Sequence, residues 1–171
     1  MQCWRHAQRC VPLADKKTLV LPKVEHIDDL AFVDARARDP LSLVLSVESA
    51  SSLLSLPDIL QRARELSRVS VSAVLFASED YCAATGVRRT RSRKGLLYPR
   101  ATLATIAQAY GVDAIDMVCI EYRNAAYLAE ECAEGAELGF RGKQAIHPVQ
   151  LEEIHTAFSP SEEGACHTDR C

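Results

Sequence analysis

At 171 residues, with 48% hydrophobic and 25% charged side chains, the chain has the size and composition of one globular domain and not of a disordered tail. Its 20 basic and 23 acidic residues leave a formal net charge of -3 with the signs mixed, so no overall field recruits nucleic acid or an anionic membrane. Uncharged runs, such as 41–47, all fall far short of the roughly 20 residues that cross a bilayer, and a soluble protein is expected.

In chain order, the amino-terminal stretch MQCWRHAQRCVPLADKK (1–17) is basic but lacks the apolar core of a secretory signal. A secreted protein is not expected, whereas organelle targeting stays compatible with this segment. The pattern becomes regular at Thr18. TLVLPKVE (18–25) reads as a strand, and residues 26–37, with Ile27, Leu30, Phe32 and Val33 spaced by three or four, read as a short helix before Pro40. LSLVLSVE (41–48) is a nearly continuous apolar run, the signature of a strand covered on both faces. Leu53, Leu54, Ile59, Ala63 and Leu66 outline a helix in which Pro57 predicts a kink or restart. VSVSAVLFA (69–77) is a third strand.

SEDYCAATGVRRTRSRKG (78–95) shows no periodicity and is predicted to be a long loop. Residues 97–110 form the next helix, which Gly111 can end in a left-handed conformation. AIDMVCI (114–120) is a strand, and Asn124 is placed to cap the helix over 125–138. A short strand within GFRGKQAI (139–146), where Gly139 and Gly142 permit tight backbone, leads to His147, Pro148 and a closing amphipathic helix over 149–158. Five strand-and-helix units in strict alternation predict an α/β protein with parallel strands and right-handed crossovers. Neither a dinucleotide fingerprint nor a Walker loop is present, although a flavodoxin-like sheet fits the same order of elements.

The seven cysteines, at 3, 10, 82, 119, 132, 166 and 171, lack zinc-like spacing. Cys82, Cys119 and Cys132 lie in or beside periodic segments and are read as small buried hydrophobes.

The polar residues are not scattered. Lys23 and Glu25, Glu48, Glu79 and Asp80, Glu121 and Arg123, and Lys143 with His147 all fall at or just beyond the carboxyl ends of predicted strands, which in a (β/α)8 barrel is the catalytic rim. Burying a carboxylate without a partner is costly. Glu48 and Asp80, which end two apolar runs, are therefore either solvated strand-end acids or ligands of one cation. Mg2+ prefers oxygen ligands, often one or two carboxylates completed by water and substrate oxygens.

LVLPKVE, SVESASSLL, LFASEDYCAATG, AQAYGVDAIDMV and GFRGKQAIHPVQLEEIHTAFSPS, taken together and in order, resemble the HpcH/HpaI aldolase and citrate lyase beta-subunit family, and are most similar to its citramalyl-CoA lyase-like branch. The resemblance extends over 18–161 and leaves 1–17 and the tail 162–171 unmatched. It implies a partial (β/α)8 TIM barrel of about five carboxyl-terminal units. The first three strands of the family, with an acidic pair and a substrate-binding arginine, have no counterpart before Thr18. Nor is the catalytic aspartate that relatives donate to a neighbouring subunit matched by Asp169.

The resemblance further implies a Mg2+-dependent carbon–carbon lyase, often trimeric, with Glu48 and Asp80 as metal ligands. The expected substrate is a hydroxyacyl-CoA thioester such as citramalyl-CoA or malyl-CoA, split to acetyl-CoA and a 2-keto acid. An inactive or truncated fragment, and an aldolase acting on free 2-keto acid aldols, are the alternative readings. A mitochondrial or cytoplasmic location is implied.

Other residues carry two readings each. Lys23 either adds positive potential beside the substrate or is an exposed strand-end lysine, and Glu25 carries less weight. Arg88 and Arg89 open the basic run RRTRSRK (88–94), which either meets coenzyme A phosphates or is a solvated loop. His147 either faces substrate or shapes the exit of the last strand, and Lys143 is read in the same way. Glu79, by strand alternation, is expected to point away from Asp80. No general acid or base is assigned.

Overall fold

A computed structural model describes residues 18–159; the expectations for 1–17 and for the tail beyond 159 lie outside them. Strands β1 (Thr18–Leu21), β2 (Leu41–Val47), β3 (Val69–Phe76), β4 (Asp113–Asp116) and β5 (Gly142–Lys143) alternate with helices α1 (Ile27–Asp34), α2 (Ala50–Ala63), α3 (Ser78–Thr85), α4 (Lys94–Tyr110), α5 (Ala125–Glu137) and α6 (Leu151–Phe158). All four strand pairings are parallel, and the order in the sheet is β1-β2-β3-β4-β5. A flavodoxin-like sheet would run 2-1-3-4-5. The sequential order is that of a (β/α) barrel, with five of its eight strands present among the described residues.

The apolar alternation sets the two faces of the sheet. Leu41, Leu43, Leu45 and Val47 of β2, with Val74 and Phe76 of β3, enter the large core built with the helices. Val44, Ala73 and Leu75 form a small cluster on the opposite face, where Ser42, Val44 and Ser46 of β2 fall by alternation. Between Leu43 and Val44 the register against β3 slips by one residue, and the Ser72 hydroxyl donates to the Leu43 carbonyl at 3.3 Å beside the slip. Among the described residues no helix is long and apolar enough to cross a membrane.

Several local expectations need correction. β1 ends at Leu21 rather than Glu25 because Lys23 takes a left-handed φ of 55°, which a continuing strand cannot hold. α2 runs unbroken through Pro57; buried Leu53, Leu56, Ile59, Leu60 and Ala63 on one stripe outweigh the missing amide. The largest difference is α3, a two-turn helix where a loop is predicted. Its weak patterning hid it, since only Ser78 and Tyr81 of its eight residues are buried. Gly86 ends α3 at φ 73° and Gly111 ends α4 at φ 70°. Gly139 has a positive φ of 92°, whereas Gly142 has an ordinary φ and open space around it, so tight backbone does not explain it.

The carboxyl ends of the last strands are tied by two glutamines. Gln144 Nε2 donates to the carbonyls of Phe76 and Asp116, at 3.1 and 3.3 Å, clasping β3 to β4. Buried Gln150 accepts from the Ile146 and His147 amides at 2.9 and 3.2 Å and donates to the Cys119 carbonyl at 3.0 Å. The stretch GKQAIHPVQ is thus a brace whose two glutamine side chains bond to backbone groups of the neighbouring strands and turn. Cys119 and Cys132 are buried as expected and Cys82 is half-buried. Burial pushes the Cys132 thiol up to about 11, in keeping with a packing role.

Candidate metal centre

Glu48 stands one residue beyond β2 and Asp80 lies in the first turn of α3, four residues beyond β3. The two strand ends are neighbours: Val47 pairs with Phe76, and the Ala77 amide donates to the Val47 carbonyl at 3.0 Å. Both acids open into one cleft of about 930 Å³, lined also by Lys23, Glu25, Asp28, Asp29, Phe32 and Ser49. Five carboxylates and one lysine on its wall give it a potential that favours a cation.

Local chemistry holds the two walls. Ser49 caps α2 by accepting from the Ser52 amide at 3.0 Å, and donates its hydroxyl to Glu25 Oε1 at 2.7 Å. This joins the segment after β1 to the residue following Glu48. Asp29 Oδ2 accepts the amides of Glu25 and His26, each at 3.1 Å, fixing the entry to α1. On α3, Asp80, Ala83 and Ala84 share the helical face turned to the cleft, at the spacing i, i+3, i+4.

Glu79 is diverted by helical rather than strand geometry. One residue along a helix is about 100° of rotation, and Glu79 leaves the cleft to pair with Arg89. Asp80 and Glu48, by contrast, have no hydrogen-bond or ion-pair partner among the described residues. Among the described residues no three histidine, cysteine or acidic side chains converge as a complete metal cage. The donor set nevertheless fits Mg2+, an ion that keeps waters and substrate oxygens beside one or two carboxylates.

Of the residues singled out in the sequence, Glu48, Asp80 and Lys23 are brought together. Arg88, Arg89 and His147 do not line this cleft. Arg88 is exposed. Arg89 is no solvated loop cation: its side chain is only 8% exposed and pairs with Glu79 and Glu131, so it is not free to meet a coenzyme A phosphate. His147 stacks on Tyr122 with centroids 4.8 Å apart, and its Nδ1 accepts from the Val149 amide at 3.2 Å. It caps the turn at 148–150, the strand-exit reading. Lys143 is buried, with Nζ 3.1 Å from Glu131 and 3.5 Å from Asp116. The places of Asp29, Phe32 and Ser49 on the cleft wall were missed; the acid three residues into α1 and the serine just before α2 are capping signals that mark Asp29 and Ser49, and no signal marks Phe32.

Comparisons with known proteins bear on the family and the fold. The family model described as HpcH/HpaI aldolase/citrate lyase matches residues 8–148, beginning inside the amino-terminal segment set apart above. The mitochondrial citramalyl-CoA lyase of Homo sapiens is 34% identical over 158 residues, covering 85% of this chain and 46% of that protein. RipC from Yersinia pestis superposes with a TM-score of 0.78 at 27% identity, covering 87% of this chain and 66% of the other. The citrate lyase beta subunit from M. tuberculosis, solved with oxaloacetate and magnesium, superposes with a TM-score of 0.69 at 25% identity, covering 84% and 62%. The chain spans about half the length of the curated relatives it matches. With the family model matching most of the chain and the sequential parallel sheet in agreement, the chain belongs to the HpcH/HpaI aldolase/citrate lyase family.

Proposed function

We propose that this chain carries the metal-binding carboxylates of a Mg2+-dependent carbon–carbon lyase. The substrate is a hydroxyacyl-CoA thioester of the citramalyl-CoA or malyl-CoA kind, and the products are acetyl-CoA and a 2-keto acid. The observation that carries this reading is the pair of unpartnered acids, Glu48 and Asp80, in an acid-lined cleft. It is supported by the likeness to citramalyl-CoA lyase and to a citrate lyase beta subunit holding magnesium and oxaloacetate.

Glu48 and Asp80 would hold the ion, which when bound supplies Lewis acidity and a template for the substrate's oxygens. Lys23, the one lysine on the cleft wall, would offset the charge of the substrate carboxylate. In the reaction the substrate hydroxyl loses its proton and its carbon becomes the keto carbon. The electron pair of the broken bond passes to the α carbon of the thioester, which then takes up a proton. A trimer, in a mitochondrial or cytoplasmic setting, is proposed from the same likeness.

The test is acetyl-CoA release from citramalyl-CoA and malyl-CoA with and without Mg2+, in the wild type and in Glu48→Gln. Release that needs the ion and vanishes in the variant is expected; release indifferent to both would overturn the assignment.

A second reading has its own observation. The described residues form five strands in an open sheet whose outer members are β1 and β5, where a closed barrel has eight. On this reading the chain binds Mg2+ but turns substrate over only with complementary strands. Tight Mg2+ binding without acetyl-CoA release would select it.

A further inference from the structure

The position of Asp80 depends on a helix with little packing of its own. α3 has eight residues, of which two are buried, so apolar contacts constrain its rotation weakly. A roll of one residue's worth, about 100°, would turn Asp80 out of the cleft.

The guanidinium of Arg89 grips the two residues that precede Asp80. Its Nη1 donates to Ser78 Oγ at 3.1 Å and to Glu79 Oε1. Its Nη2 donates to the Val118 carbonyl beyond β4 at 2.7 Å and to Glu131 of α5 at 3.2 Å. Glu131 is in turn fully buried and 3.1 Å from Lys143 of β5. The first turn of α3 is thereby fastened through one planar fork to the end of β4 and to α5, and through Glu131 to β5. A lysine, a point charge on a flexible stem, cannot hold these directions at once. Burial works against the charge of Arg89, and its hydrogen bonds and charge contacts with Glu79 and Glu131 more than restore it.

We propose that Arg89 is a positioning residue: it sets the roll of the first turn of α3 and so aims Asp80 into the cleft beside Glu48. This rests on the reading of Glu48 and Asp80 as metal ligands, and the test separates the two ideas. In the full chain, Arg89→Met, Arg89→Lys, Asp80→Asn and Glu134→Gln are compared by amide hydrogen exchange without metal and by Mn2+ titration followed by electron paramagnetic resonance. Glu134 belongs to the same run of ion pairs but does not touch α3.

Both Arg89 variants are expected to speed exchange at the amides of Tyr81 to Thr85 and to weaken Mn2+ about tenfold, as loss of an outer hydrogen-bonding partner does. Lysine should not rescue. Glu134→Gln should lower the unfolding midpoint while leaving exchange in α3 and Mn2+ affinity as in the wild type. The proposal is overturned if Arg89→Met exchanges in α3 no faster than Glu134→Gln, or keeps wild-type Mn2+ affinity while Asp80→Asn loses it. If Asp80→Asn binds Mn2+ as the wild type does, the metal reading falls instead, and hydrogen exchange alone decides the role of Arg89.

Discussion

Two clusters of acids in this protein are used in opposite ways. In the network spanning α4, α5, β4 and β5, each carboxylate meets a cation of the chain. Arg100 takes Asp116 through two hydrogen bonds at 3.0 and 2.8 Å and Glu134 at 2.6 Å. Arg93 takes Glu134 at 2.6 Å and Glu130 at 2.7 Å, and Lys143 lies between Asp116 and Glu131. Gly135 makes room for this: a Cβ there would come within 2.8 Å of Asp116 Oδ2. In the cleft at the ends of β2 and β3, Glu48 and Asp80 form no ion pair among the described residues. A carboxylate matched from within holds the fold together, whereas one left unmatched beside others of its kind is available to an ion from outside.

The sharpest way to break the contrast is to unmatch a buried acid. Arg100→Leu leaves Asp116, fully buried, facing only Lys143, and should cost about 3–5 kcal/mol in urea unfolding. A loss under about 1 kcal/mol, the scale of exposed pairs, would mean that the network is not a structural element. The converse is to match the open acids: Mg2+ at about 100 times its dissociation constant should add about 2.7 kcal/mol to stability. That gain should disappear in Asp80→Asn. An equal gain in the variant would place the ion elsewhere.

Acid should act on the matched cluster. Burial tends to raise the carboxyl of Glu134, but hydrogen bonds and charge from Arg100 and Arg93 prevail and hold it below the usual glutamate range. A carboxyl depressed in the folded state contributes stability above its unfolded value of about 4.3, and that contribution is lost as pH falls through the folded value. Glu134→Gln should therefore flatten the acid limb of a stability–pH curve below about pH 4.3; an unchanged limb would remove Glu134 as its source. The smallest effect is expected at the open site. Without metal, Glu48→Gln should change stability by no more than about 0.5 kcal/mol, because no described residue is paired to that carboxylate. A larger loss would reveal a partner and weaken the metal assignment.

Much of this was legible in the residues. The β2 and β3 runs, the cap at Asn124, which accepts from the Tyr127 amide at 3.1 Å, and the stop at Gly111 follow from local chemistry. So does the placement of Glu48, because an apolar strand ending in an acid locates that acid within a residue. α3 was not legible, since a short helix burying two residues leaves no periodic trace. Glu79 does point away from Asp80 as expected, but by helical rather than strand geometry, and neither reading of RRTRSRK, phosphate contact or solvated loop, anticipates that two of its arginines are held by acids. Arg89 and Arg93 are in fact bound to acids of α5 37 to 42 residues away in chain, and Arg89 also to Glu79 of α3, while Arg88, Arg91 and Lys94 stay exposed.

The sequence by itself determined the alternation of strands and helices, the parallel class of sheet and the gathering of polar residues at strand ends. These depend on periodicity, capping and turn chemistry, which act over a few residues. Only the tertiary structure decided which charges are spent and which are free. An arginine's role depends on whether a carboxylate from a distant helix reaches it in a dry interior, and Arg89, Arg93 and Arg100 find theirs on α3, β4 and α5. That pairing leaves Glu48 and Asp80 as acids the fold has not matched.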